Sequence, residues 1–175
     1  MKHISTILLI FIMFSLFSCG QKRKENVRFP EDAYTVATAS IDDFPAVAVV
    51  NTAMKKFEAR DVFGWHLSVI IDYKELAENG MPTDEESDFV LNYFDQIDDS
   101  IRGDKQHPNA VFIARITHNG MLHAIWQVNN PELANQYLQK IIDDNSSPRP
   151  MEFTMEYDAT WKEANIHLDA IEEKD

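Results

Sequence analysis

The chain has 175 residues, 29 acidic against 16 basic, for a formal charge of −13 and a pI near 4.8. Hydrophobic residues make up 45% of it, the composition of an ordinary globular protein. The acidic balance excludes a nucleic-acid footprint, because binding to phosphates needs clustered Lys and Arg.

Lys2 and His3 precede an apolar stretch from Ile4 to Phe17, interrupted only by Ser5, Thr6 and Ser15. It falls short of the ~20 apolar residues a bilayer-spanning helix needs and fits a cleavable signal peptide over residues 1–18. Leu16-Phe17-Ser18-Cys19 closes it, with an apolar residue at −3, a small one at −1 and the chain's single cysteine at +1. This resembles the lipobox of bacterial lipoproteins, which implies cleavage before Cys19 and attachment of two or more palmitate-type acyl chains to the mature terminus. At ~0.8 kcal/mol per buried CH₂, two chains anchor stably where one is marginal. The competing reading, a buried thiol in a core helix, fits poorly with the charged run that follows at once. With Cys19 consumed by lipid, no thiol remains for disulfides, thiol catalysis or soft-metal ligation.

Residues 19–30 then read as a polar, basic linker, with Lys22, Arg23, Lys24 and Arg28 able to lie against anionic headgroups. The same run also serves simply as a solubilising start. The expectation is a bacterial envelope protein held on the membrane; the lack of an acidic run after Cys19 favours a periplasm-facing orientation.

The remainder, 31–175, shows no repeat and no second linker, and its length suffices for one core. Tyr34–Ser40 and Pro45–Thr52 alternate as strands around an Asp42-Asp43 turn. A third strand over 63–73 carries Trp65, Leu67, Val69, Ile71 and Tyr73 on one face and His66, Ser68, Ile70 and Asp72 on the other. Thr83 and Glu86 stand at capping-box spacing before a helix whose stripe is Val90, Phe94, Ile97 and Ile101, ending near Arg102-Gly103. Apolar runs over 109–117 and 121–128 flank His118-Asn119-Gly120, and Asn-Gly is a strong hairpin signal. Asn130-Pro131 starts a second helix carrying Ala134, Tyr137, Leu138, Ile141 and Ile142. Met151–Asp158 alternates as a strand, and Thr160–Glu163 has the spacing of a capping box for a terminal helix with Trp161, Ala164, Leu168 and Ile171.

From Trp65 onward the order is strand, helix, strand, strand, helix, strand, the split βαβ arrangement of a ferredoxin-like α+β sandwich. Right-handed crossovers put both helices on one face. The two earlier strands extend or cover the sheet, and the last helix is expected at an edge or end.

The body is similar to a family of uncharacterised bacterial proteins, the domain of unknown function 695. The resemblance rests on Phe44–Ala53, Phe63–Ser68, Ala114–Thr117, Asn119-Gly120, Ile125-Trp126, and Asp158 with Trp161-Lys162. It spans most of 44–168 and implies a fold and domain limits, without an activity. The Asp-Ala-Thr-Trp-Lys stretch departs from the family's more usual Asp-Pro-x-Trp pattern by one residue.

Candidate chemistry is sparse. His66 and Asp72 lie about 20 Å apart along one strand, too far to act as an acid–base pair. His118 and His123 flank the hairpin turn as diagonal neighbours on one face, at a spacing that could share a metal ion but with no third ligand identifiable, so no metal is assigned. Arg115 falls on the other face of the hairpin among Ile113, Thr117, Ala124 and Trp126. It either binds a ligand carboxylate or phosphate with Trp126 as a stacking wall, or pairs with an acidic side chain of the sheet. Trp65, Trp161 and the methionines at 54, 81, 121, 151 and 155 read as core. The acidic run at 84–88 is a helix first turn and not a calcium loop. No phosphate-cradling glycine loop, nucleophile elbow, zincin motif or dinucleotide fingerprint is present, and no cofactor is implied.

Two functional expectations remain. The first is a non-enzymatic domain that binds a protein, basic for preference, or a small ligand on sheet surface left uncovered by the helices. The second is an envelope hydrolase or transferase with a site near Arg115, His118, His123 and Trp126.

Overall fold

A computed structural model of the chain describes residues 27–171. The signal peptide, Cys19 and most of the linker lie outside the described residues. Six strands form one antiparallel sheet: β1 (Tyr34–Ile41), β2 (Phe44–Asn51), β3 (Trp65–Asp72), β4 (Ala110–His118), β5 (Met121–Val128) and β6 (Met151–Tyr157), in the spatial order β1-β2-β4-β5-β3-β6. Three helices accompany it: α1 (Asp84–Arg102), α2 (Pro131–Asp143) and α3 (Lys162–Asp169). The protein is thus a mixed α+β fold. No helix among the described residues is long and apolar enough to cross a membrane.

The amphipathic stripes decide the layers. Val90, Phe94, Ile97 and Ile101 of α1, with Ala134 and Leu138 of α2, bury against Leu67, Val69, Ile71, Phe112, Leu122, Ala124 and Trp126 of the sheet. At about 1.5–3 kcal/mol per fully buried large apolar side chain, this is one of the two cores that hold the sheet to its helices. The second core lies on the opposite face. There Ala164, Leu168 and Ile171 pack with Met54, Phe57, Phe63 and Trp161 over Val50, Val111, Ile113 and Ile125. The last helix therefore does not sit at an edge or end: it caps the reverse face of the central strands, because two short 3₁₀ turns at Thr52–Lys56 and Arg60–Val62 supply apolar groups for it to cover.

The Asn130 cap follows the sequence, the Thr83 box forms only its hydroxyl half because Thr83 N donates to Glu75 O and Glu86 takes Arg149 and Lys74 N instead, and the third cap departs. Thr83 Oγ1 accepts from Glu86 N at 3.3 Å, and Asn130 Oδ1 accepts from Glu132 N at 3.1 Å. At α3 the Thr160–Glu163 spacing does not act as a box. Asp158 takes that role, its Oδ1 accepting from Lys162 N at 2.7 Å and its Oδ2 from Glu163 N at 3.1 Å. Trp161 occupies the N-cap with φ 59°, its indole donating to Phe63 O at 2.8 Å and Arg60 O at 3.0 Å.

Both hairpin turns use positive φ, at Asp42 (49°) and Asp43 (68°) and at Asn119 (42°) and Gly120 (79°), the geometry that matches strand twist in two-residue turns.

Candidate functional site

Helices α1 and α2 do not reach the whole of their face. Beyond α1 the sheet continues through β4, β2 and β1, and there Val36 is 65% exposed and Tyr34 52% exposed. A cleft of about 230 Å³ lies where α1 meets this open half, lined by Tyr34, Val49, Phe94, Asp95, Asp98, Phe112 and Arg115.

A β-bulge sets its chemistry. The register of β4 against β5 shifts between Phe112 and Ala114, so Ile113 joins Val111 and Ala114 in the α3 core and leaves the face it would share with Arg115 in a regular strand. Arg115, paired across the sheet with Ala124 and Val49, stays on the α1 face. Its guanidinium carbon lies 5.5 Å from the centre of the Phe94 ring. Among the described residues it makes no hydrogen bond and no ion pair, so the acidic sheet partner expected for it is not found there.

Trp126 does not wall the cleft. It is fully buried, stacked at 5.7 Å beneath Phe94, and its Nε1 donates to Asp98 Oδ1 at 2.7 Å. Phe94 is the surface that meets Arg115. Burial holds the Asp98 carboxyl above the usual range, opposed by the Trp126 hydrogen bond and by Arg102, which approaches Asp98 Oδ2 at 3.4 Å. At the rim, buried Asn51 ties the start of β1 down, donating to Asp32 Oδ1 at 2.8 Å while its own Oδ1 accepts from Ala33 N at 3.2 Å. Tyr34 donates to Asp32 Oδ2 at 2.9 Å. Desolvation first, and Asp32 second, push the Tyr34 hydroxyl upward.

His118 and His123 share the reverse face. His118 Nε2 lies 3.0 Å from Ile41 O and its ring meets Phe44 edge-on. His123 Nε2 lies 2.6 Å from Ser68 Oγ, and its ring stands edge-on to His167 of α3 at 6.3 Å. Burial lowers both His123 and His66, and it lowers His167 to about 4. The sheet therefore separates Arg115 and Trp126 from His118 and His123. Among the described residues no group of three or more His, Cys, Asp or Glu is placed to hold a metal ion.

Two of the larger clefts are already knit by their own polar groups. In one of about 650 Å³ at the end of α1, Asn109 N donates to Arg102 O and Asn109 Nδ2 to Asn130 O. In one of about 410 Å³ beside it, the Arg102 cation has Asp32 at 3.6 Å and Asp98 at 3.4 Å. Arg115 differs from Arg102 in having no such counterion among the described residues.

Sequence pattern placed Arg115 on a strand face but not under α1, and it gave Phe94 no role beyond the apolar stripe. The unusual guanidinium among apolar positions was the signal available.

A single antiparallel sheet with one face half roofed by helices, and a cleft at the edge of that roof, defines an α+β domain with an open sheet surface. The chain belongs to the family of unknown function DUF695, which it matches over residues 32–163. No curated protein and no solved structure matches it.

Proposed function

We propose that this chain is a lipid-anchored, non-enzymatic binding domain of the bacterial cell envelope. In this reading residues 1–18 are removed, Cys19 carries the acyl chains, 19–30 form the tether, and 31–175 fold as one domain facing the periplasm. The region from β3 to β6 is read as a ferredoxin-like split βαβ unit, supported by the order β4-β5-β3-β6 with α1 and α2 on one face, with β1 and β2 added beside β4.

The observation that carries the binding role is the open half of the α1 face. Apolar side chains at Val36 and Tyr34 stand exposed on the face whose centre, under α1 and α2, is buried at Leu67, Val69, Leu122 and Trp126. Among the described residues strand β1 is also an unpaired sheet edge, with no charged side chain from Tyr34 to Ile41, whereas the other edge, β6, carries Glu152 and Glu156. Charged residues normally blunt such edges, so β1 suits addition of an extended partner segment. The acidic surface favours a basic protein.

A photo-crosslinker at Val36, with one at Glu152 as the control edge, tests this in intact cells. A defined adduct from Val36 alone is the expected result; none from either position defeats the reading. Intact mass of the membrane-extracted chain, with Cys19→Ser as comparison, tests the anchor.

The hydrolase or transferase alternative draws on one contact, the 2.6 Å approach of Ser68 Oγ to His123 Nε2. Labelling of Ser68 by a fluorophosphonate, abolished in His123→Gln, would favour it.

A further inference from the structure

We infer that the Arg115 cleft receives the C-terminal carboxylate of a basic polypeptide; this deepens the binding reading above and rests on it. The juxtaposition is a guanidinium with no ion pair among the described residues, lying over an aromatic ring at the inner end of an apolar row that opens onto a sheet edge.

Arg115 presents a planar fork of N–H donors with its central carbon 5.5 Å from the Phe94 ring centre and no hydrogen bond or ion pair among the described residues. That fork matches a carboxylate bidentately. The space beside it is small, about 230 Å³, the volume of roughly eight waters at ~30 Å³ each. It holds one terminal residue, with Phe94, Phe112 and Val49 to cover its side chain.

Charge selects the ligand further. Asp95 and Asp98 also line the cleft, Asp98 with Arg102 at 3.4 Å, so a phosphate dianion meets more repulsion there than a singly charged acid. A monocarboxylate does not carry that excess, and basic residues just upstream of it are drawn to the same acids.

The open end argues for a chain and not a small acid. Across the sheet Arg115 pairs with Val49 and Val49 with Val36, all on the α1 face. Strands stand ~4.8 Å apart, so the row runs about 10 Å from the guanidinium to the free edge at β1. A small carboxylate fills the cleft and leaves Val36 bare. A chain whose last residue sits on Arg115 continues over Val49 and Val36.

The test uses N-acetylated hexapeptides carrying two lysines and ending in Phe or Leu, each made as the free acid and as the C-terminal amide. Binding to the domain is followed by calorimetry and by the Arg115 Nε–H resonance. The free acid is expected to bind at least tenfold tighter than its amide, to shift that resonance, and to lose the difference in Arg115→Gln. Equal affinities of acid and amide, or binding of neither, overturn the inference. So does N-acetylphenylalanine binding as tightly as the hexapeptide, which assigns a small acid, or inorganic phosphate competing at lower concentration. The amide comparison is made on the unaltered protein and does not depend on the variant folding. Failure here with the Val36 adduct intact removes only the chain-end assignment. Selective binding of the free acids without a Val36 adduct in cells removes instead the envelope protein-partner reading.

Discussion

Glu86 and Arg149, 63 positions apart, form a two-point ion pair: Arg149 Nε donates to Glu86 Oε1 and Nη2 to Oε2, both at 2.7 Å, with Glu86 only 4% exposed. Lys74 N donates to the same Oε1 at 2.8 Å, and the guanidinium lies 4.2 Å over Phe89. The pair joins the loop after β3, the first turn of α1 and the entry to β6. Removing the cation leaves a buried carboxylate uncompensated, so Arg149→Met is expected to cost about 3 kcal/mol or more. Glu86→Gln, which keeps the shape and part of the hydrogen bonding, costs about 2 kcal/mol. Urea denaturation midpoints measure both.

The Arg149 hydrogen bonds hold the Glu86 carboxyl below the usual range, against its desolvation. A depressed carboxylate contributes stability above its unfolded pKa, ~4.3, and loses it as pH falls through the folded value. Loss of stability below pH ~4.3 should therefore be shallower in Glu86→Gln than in the unaltered chain.

The histidine cluster acts in a different window. His66, His123 and His167 all have lowered pKa values in the folded state, chiefly from burial; His167 also feels His123 and His66, while Asp158, Glu163 and Glu156 oppose the shift at His66. The unfolded chain thus binds more protons than the folded one between ~6.5 and about 4. Stability is complete above ~6.5 and declines as pH falls through that interval. Thermal midpoints measured from pH 7 to 4.5 should drop, and His167→Gln should flatten the drop. Equal slopes in the two proteins would rule the cluster out as its source.

Asp158 is the hub of the α3 corner. Besides capping the helix it accepts from Gln127 Nε2 at 2.8 Å, inside the structure. Asp158→Ala removes the cap and strands the Gln127 amide, at about 2–3 kcal/mol. Hydrogen exchange should accelerate first at residues 162–168, with the α1 and α2 amides less affected. Asp158→Asn, which keeps an acceptor for one helix N–H, should fall between.

The hairpin turn between β4 and β5 depends on glycine. Gly120 has φ +79°, and a Cβ there would stand 3.1 Å from Leu76 Cδ1. Gly120→Ala is expected to lower stability by about 1–2 kcal/mol. At the other hairpin Asp43 adopts φ 68° without glycine's freedom, so Asp43→Gly should be neutral or slightly stabilising. Thermal denaturation of the two variants gives the contrast.

The strand faces were legible where alternation was unbroken. The faces read along β3 hold, with Leu67, Val69 and Ile71 fully buried and Asp72 exposed. The α1 stripe holds equally, since Val90, Phe94, Ile97 and Ile101 are all buried. Alternation misled at Ile113, where one extra residue in β4 turned the side chain to the other core. Cap spacing misled at Thr160, because a carboxylate two residues earlier reaches the same helix N–H groups. For the candidate site, sequence singled out Arg115 and gave it the wrong aromatic neighbour. The histidines at 66 and 167 could not be joined to His123, since α3 covers that face only through contacts between segments distant in the chain.

The sequence by itself determined the mixed α+β elements, their turns and the faces of the regular strands, because periodicity and cap chemistry act over a few residues. Tertiary structure decided which helix roofs which strands, that α3 lies on the reverse face, and that Arg115 rests on Phe94 with no counterion among the described residues. Those outcomes depend on how far α1 extends across the sheet, a distance set by packing of side chains remote in sequence and written in no local pattern.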